Sequence, residues 1–140
     1  MTTGLPLPPP LAPGDTLGIV APASHFKQQR FADGLAVLED MGFAVAPAED
    51  LFARDGYFAG PDALRAAQVN RCFADDGIRG IIAARGGFGS MRLLPLLDID
   101  RIRSHPKAFV GFSDVSALLN LLFSCRVRRD EAAPLSGFVR

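Results

Sequence analysis

Residues 108–119, AFVGFSDVSALL, read as a short apolar strand, then a serine, then a helix. Val115, Leu118, Leu119 and Leu122 fall at i, i+3, i+4 and i+7, which is one helical face. Gly111 ahead of the turn lets the backbone bend tightly and pack closely. Ser113 therefore stands where a strand stops and a helix starts. That is the place of a nucleophile elbow, which presents a hydroxyl at the mouth of a sheet beside amides able to bind an oxyanion. Ser and Asp are also the preferred helix caps, so a plain capping role for Ser113 or Asp114 fits the same residues.

A second stretch, residues 85–90, RGGFGS, is a glycine-rich turn between a strand and a helix. As a phosphate cradle it is incomplete. Gly87-Phe88-Gly89 is followed by Ser90, Met91 and Arg92, so the third glycine of GxGxxG is missing, and no GK[ST] follows. The turn also suits an oxyanion hole, with the amide of Gly86 or Gly87 facing Ser113, or simply a tight bend that needs positive φ.

A serine nucleophile needs a base. His105 precedes the strand that Ser113 follows. The eight intervening steps, at about 3.3 Å each, put the two roughly 25 Å apart. His25, beside Ser24 in the loop after the first strand, lies at the correct edge but has no evident carboxylate to orient it. Asp114 is adjacent to Ser113, and a helix start points neighbouring side chains apart. The residues thus supply a nucleophile and an oxyanion hole without a visible base.

The elements that must position these groups alternate. Residues 1–14, MTTGLPLPPPLAPG, are proline-rich and suit an extended arm rather than helix or central strand. Residues 16–21 (TLGIVA), 43–47 (FAVAP) and 80–84 (GIIAA) read as apolar strands, with 108–112 as the fourth. Phe31, Leu35, Leu38 and Met41 make a helical stripe ended by Gly42. Residues 51–60 form a loop with two exposed aromatics. Pro61 opens a helix carrying Ala66, Val69 and Phe73 on one face, closed by Gly77. Residues 93–97 and 99–102 are short and helical. The expected fold is α/β: three layers, a mainly parallel sheet, helices on both faces, flavodoxin-like. Ligands on such sheets bind at the carboxyl ends of the strands. The loops holding Ser24 and His25, residues 85–90, and Ser113 with Asp114 all fall at that edge.

Composition narrows the function. Lys+Arg and Asp+Glu both number 15, so the net charge is zero and a nucleic-acid partner, which needs a basic face, is not expected. Cys72 and Cys125 show no ligand spacing and read as free thiols of a reducing cytoplasm. No signal peptide or membrane span is visible. Neither a metal nor a cofactor is expected.

The motifs together resemble the N-terminal domain of the LD-carboxypeptidase family, which includes muramoyltetrapeptide carboxypeptidases and microcin C immunity proteins. The resemblance rests on PGDTLGIVAPAS (residues 13–24), GYFAG (56–60) with Asp62 and Arg65, ARGGFGSMRLLPLLD (84–98) and PKAFVGFSDVSALL (106–119). It implies a serine peptidase of the cytoplasm with Ser113 as nucleophile and an oxyanion hole built from the amides of Asp114 and of Gly86 or Gly87. The implied reaction is cleavage of the L,D-amide to a terminal D-amino acid, with a murein peptide or a peptidyl-nucleotide-like molecule as substrate and a homodimer as the assembly. Arg85 and Ser24 are candidate substrate contacts. The resemblance also implies that the glutamate and histidine completing the triad belong to a second domain, which the matching residues do not include. Residues 126–140 leave the family pattern and are expected to be a disordered tail, as a truncation or reading-frame change near Cys125 would produce. The expected organisation is an arm over 1–14, the domain over 15–125, and that tail. The alternative is a non-catalytic ligand-binding module that keeps the fold.

Overall fold

A computed structural model describes residues 7–126 of the chain, the side chain of Arg126 excepted. β1 (Thr16–Val20) is the most buried strand, with Leu17, Ile19 and Val20 at 2% exposure or less. An unbroken apolar run of this kind suits a strand covered on both faces. β1 pairs in parallel with β2 (Ala44–Pro47) on one side and β3 (Ile78–Ala83) on the other. β4 (Ala108–Val110) pairs in parallel with β3, giving the order β2-β1-β3-β4.

Strand alternation sorts the core into two clusters. Val20, Ile81 and Ala83 face α2 (Asp62–Ala74), α3 (Ile99–Ser104) and α4 (Ser116–Arg126), packing with Val69, Phe73, Ile102, Leu118 and Leu122. Ile19 and Ala21, with Ile82 and Ala84, face α1 (Gln28–Asp40) through Phe31, Leu35 and Leu38. The three-layer α/β arrangement expected from the sequence is the observed one. The two faces are unequally sealed: α2 buries six side chains, α1 none completely.

Some boundaries differ from expectation. Pro61 is the cap of α2 rather than its first helical residue. β4 ends at Val110 because Gly111 and Phe112 already leave the sheet. Of residues 93–97, expected as an ordinary short helix, 93–96 belong instead to a 3₁₀ segment, Ser90–Leu96, that contains Pro95, and Leu97 is its extended cap. Proline has no N–H to donate, which favours such a short tight form over an α-helix. Asp98 caps α3 by accepting from the Arg101 amide at 3.0 Å. Part of the proline-rich lead-in is docked: Leu11 lies against Gly80, and the Gly14 amide donates to Gly42 O at 2.7 Å. Residues 1–6 of the expected arm and 127–140 of the expected tail lie outside the described residues. Among the described residues no helix is long and apolar enough to cross a membrane, and no cluster of three His, Cys, Asp or Glu suits a metal ion.

Candidate functional site

The strand order reverses between β1 and β3, so the connections leaving their carboxyl ends diverge and open a crevice there. The loop after β1 and the RGG turn meet at that point. The Ser24 amide donates to Gly86 O at 3.3 Å, and the Phe88 amide donates to Ser24 Oγ at 3.1 Å. Ser24 is 1% exposed. Gly87 has φ +112, and a Cβ there would lie 2.2 Å from Ser24 Oγ. Both the conformation and the lack of space demand glycine at this position.

The elbow touches this turn directly. A Cβ on Gly86 would lie 3.1 Å from Ser113 Cβ, 3.1 Å from Phe112 O and 3.4 Å from the Asp114 amide nitrogen. Gly111 makes room for Val115, whose Cγ1 would be 2.4 Å from a Cβ there. Ser113 has φ +58, the one positive φ outside glycine among the described residues. Strain of this kind costs on the order of 1–3 kcal/mol and persists only where surrounding contacts over-determine it. The Ser113 side chain is exposed and makes no hydrogen bond among the described residues, so its hydroxyl is not spent on a cap.

Asp114 does the capping, but not for its own helix. Its Oδ2 accepts from the Ser90 amide at 2.8 Å, and its carbonyl accepts from Ser90 Oγ at 2.5 Å. Ser90 is fully buried. The elbow is therefore clamped to the start of the 3₁₀ segment that follows the RGG turn.

Behind this clamp sits Arg65, also fully buried. Its Nε donates to Gly60 O at 2.9 Å, and its Nη1 donates to Pro22 O at 2.6 Å and Gly89 O at 3.0 Å. Nη2 pairs with Asp62, which also accepts from Arg92 Nε at 2.9 Å. The Phe58 ring packs against both guanidinium groups, 4.7 and 4.9 Å from its centroid. Burial lowers the Arg65 pKa, and the Asp62 carboxylate opposes that. The next turn of α2 brings Gln68, whose Oε1 accepts from the Ala21 amide at 3.0 Å.

The remaining candidates separate. Arg85 is exposed and donates through Nη1 to His25 O at 2.6 Å. It lines an open groove of about 430 Å³ with Phe26, Lys27, Arg30, Phe31 and Ala84. The His25 ring makes no hydrogen bond among the described residues, and its ring neighbour is Tyr57, 6.5 Å away between centroids. His105 precedes β4 and lies beside Ser104 Oγ at 2.8 Å and Asp76 at 3.9 Å, at the end of the strand away from Ser113. Thus the structure brings together Ser113, Asp114, Gly86, Gly87 and Ser24, with Arg85 alongside. Sequence reasoning did not anticipate Ser90, the carboxylate of Asp114, or the burial of Arg65. The signal that existed was the i, i+3 spacing of Asp62 and Arg65, which suits an ion pair on one helix.

The family model described as the LD-carboxypeptidase N-terminal domain matches residues 17–128. A probable murein peptide carboxypeptidase of Bacillus subtilis is 39% identical over 111 residues, covering 79% of this chain and 35% of that protein. The solved structure of microcin C7 self-immunity protein MccF with aspartyl sulfamoyl adenosine superposes with a TM-score of 0.81 at 32% identity, covering 86% of this chain and 37% of that one. Muramoyltetrapeptide carboxypeptidase from Oxalobacter formigenes gives a TM-score of 0.67 at 30% identity, covering 72% of this chain and 34% of that one. The chain spans about a third of the length of the curated relatives it matches.

Proposed function

This chain belongs to the LD-carboxypeptidase family, matching its N-terminal domain, and from that we propose that it carries the nucleophile and oxyanion hole of a serine carboxypeptidase. The substrate is a murein tetrapeptide or a peptidyl-nucleotide-like molecule, and the bond is the amide between an L-configured centre and a terminal D-amino acid. The observation that carries the reading is the contact between the elbow and the RGG turn. An exposed serine with an unspent hydroxyl and a strained backbone lies against Gly86. That is the arrangement an acyl-transfer site needs.

In the reaction, Ser113 Oγ attacks the scissile carbonyl carbon and loses its proton to a base. The amides of Asp114 and of Gly86 or Gly87 hold the negative oxygen as the carbonyl becomes tetrahedral. Collapse breaks the C–N bond, the D-amino acid leaves with a proton on its nitrogen, and water then hydrolyses the acyl-serine. Arg85, with no ion-pair partner among the described residues, is suited to bind the terminal carboxylate of the substrate. Ser24, a candidate substrate contact from sequence, is too buried for that and serves the RGG turn instead. The base is assigned by family resemblance to a second domain, as a histidine oriented by a glutamate. Cys72 and Cys125 are free thiols, in keeping with a reducing cytoplasm.

Two assays test this reading. Prolonged exposure to a fluorophosphonate should add one phosphonyl group by intact mass, and Ser113→Ala should abolish the addition. Absence of labelling in the parent chain would favour the non-catalytic ligand-binding module. The second assay is release of D-alanine from a murein tetrapeptide. Loss of triad members costs on the order of 10⁴ to 10⁶ in rate, so this chain alone should show no measurable turnover. Turnover of about 1 s⁻¹ that disappears in Ser113→Ala would show that a base lies within these residues, and His25 would be the first to mutate.

A further inference from the structure

Arg65 lies behind the RGG turn, on α2, and belongs to neither the nucleophile nor the amide set. Its contacts are nonetheless distributed in a way that a purely local structural residue would not need. The guanidinium accepts nothing and donates to the carbonyls of Pro22, Gly60 and Gly89, which belong to the loops after β1, before α2 and after β3. Single backbone contacts join these loops in pairs, the Ala59 amide donating to Ala23 O at 2.8 Å and the Ser24 amide to Gly86 O at 3.3 Å, whereas Arg65 binds all three at once. The carbonyl of Gly89 is the critical one. It belongs to the peptide whose nitrogen is the Ser90 amide, and that amide donates to the Asp114 carboxylate. Fixing the oxygen of a planar peptide fixes the direction of its N–H. Ser90 Oγ then holds the Asp114 carbonyl, which constrains the turn that presents Ser113 and the Asp114 amide.

We propose that Arg65 is a positioning residue for the oxyanion hole, acting through the Gly89–Ser90 peptide and the Asp114 carboxylate to orient the elbow against the RGG turn. The inference rests on the catalytic reading of Ser113 given above and adds a residue that touches neither substrate nor reacting atoms. Lysine cannot replace it. A guanidinium presents a rigid planar fork to several carbonyls at once, whereas an ammonium is a compact point charge. Gly89 has φ +111 and lies close to both partners, since a Cβ there would be 3.1 Å from Arg65 Nη1 and 2.6 Å from the Phe58 ring. The Gly89 carbonyl is thus delivered to Arg65 by a backbone conformation that glycine alone adopts without strain.

The test uses Arg65→Lys in the whole chain, with Asp62→Asn as the second variant should the first fail to fold. Asp62→Asn keeps the guanidinium but removes the carboxylate that holds it in place. Two quantities are read in each. One is the rate of phosphonylation at Ser113 together with the ³¹P shift of the adduct, which reports hydrogen bonds to the phosphoryl oxygen. The other is amide hydrogen exchange at Ser90 and Asp114, with Ile19 and Ile82 as references in the sheet. The expected result is phosphonylation slowed about tenfold or more, against the 10²–10³ known for loss of a whole oxyanion donor. A shifted ³¹P resonance and at least about tenfold faster exchange at Ser90 should accompany it, with Ile19 and Ile82 unchanged. Ser90 exchange and phosphonylation both within twofold of the parent would overturn the proposal. So would an equal loss of protection at Ile19 and Ile82, which would mean that Arg65 merely stabilises the fold. If the parent chain is not phosphonylated at all, the catalytic reading fails, and the amide measurements still decide whether Arg65 sets Ser90 and Asp114.

Discussion

At the carboxyl edge of the sheet a buried arginine binds backbone carbonyls from several loops, and at the amino edge a buried lysine binds carbonyls at one helix end. Arg65 reaches Pro22, Gly60 and Gly89. Lys107, at the start of β4, donates through Nζ to Cys72 O at 2.7 Å and to Asp75 O, closing the C-terminus of α2. Burial pulls both cations below their usual pKa, and a neighbouring aspartate, Asp62 or Asp75, opposes it. The two differ in reach. The arginine fork ties diverging loops that carry the candidate chemistry, whereas the lysine neutralises a negative helix end and sets where β4 begins. The polar groups buried at the carboxyl edge are thus spent on orientation, and those at the amino edge on stability.

That contrast makes its strongest claim at Gly87. Gly87→Ala places a Cβ 2.2 Å from Ser24 Oγ at φ +112. We expect phosphonylation of Ser113 to fall about 10²–10³-fold, the scale of losing an oxyanion donor. A rate within threefold of the parent would show that the RGG turn does not serve the elbow.

The amino edge should answer to pH. Burial pushes the Cys72 thiol up to about 11 from its ordinary value of 9.0, and the Lys107 charge opposes the rise. A raised folded pKa means that the native state keeps a proton the unfolded chain has already lost. The associated stability is complete below pH 9 and is lost as pH rises through about 11. The shift corresponds to roughly 2–3 kcal/mol. Lys107 works in the other direction, because its lowered folded pKa makes stability rise with pH toward 10.5. Urea unfolding of the parent and of Cys72→Ala from pH 8 to 11 should therefore show the parent losing more stability than the variant. Parallel curves would refute the assignment.

Removing the lysine tests the same edge at neutral pH. Lys107→Met should cost about 2 kcal/mol, the scale of charge-assisted hydrogen bonds lost from helix-end carbonyls. Phosphonylation per folded molecule should stay within about twofold. A large loss of labelling without loss of stability would erase the distinction between the two edges.

The smallest effect should be a gain. Ser113→Gly relieves a positive φ that a side chain adopts only with strain, so stability should rise by about 1 kcal/mol while labelling vanishes. A decrease in stability would mean that the serine side chain itself supports the turn.

Much of this architecture is legible in the residues. Apolar runs bounded by glycine and proline mark the strands, and the stripes Phe31–Leu35–Leu38 and Val115–Leu118–Leu122 mark helical faces, because burial imposes its period on the chain. The four-fold alternation then leaves few alternatives to a parallel sheet, and Ser113 stands out as a hydroxyl at a strand-to-helix turn. Residue order could not show that Asp114 caps the 3₁₀ segment after the RGG turn rather than its own helix, since the partners Ser90 and Asp114 are far apart in the chain. Nor could it show that Arg65, a residue type seldom buried, would be the largest fully buried side chain among the described residues. Its burial is tolerable only because three loops turn their carbonyls toward it and Asp62 stands beside it. Periodicity records which side chains leave water. Which carbonyls converge on a buried charge is decided by how separate loops meet in space.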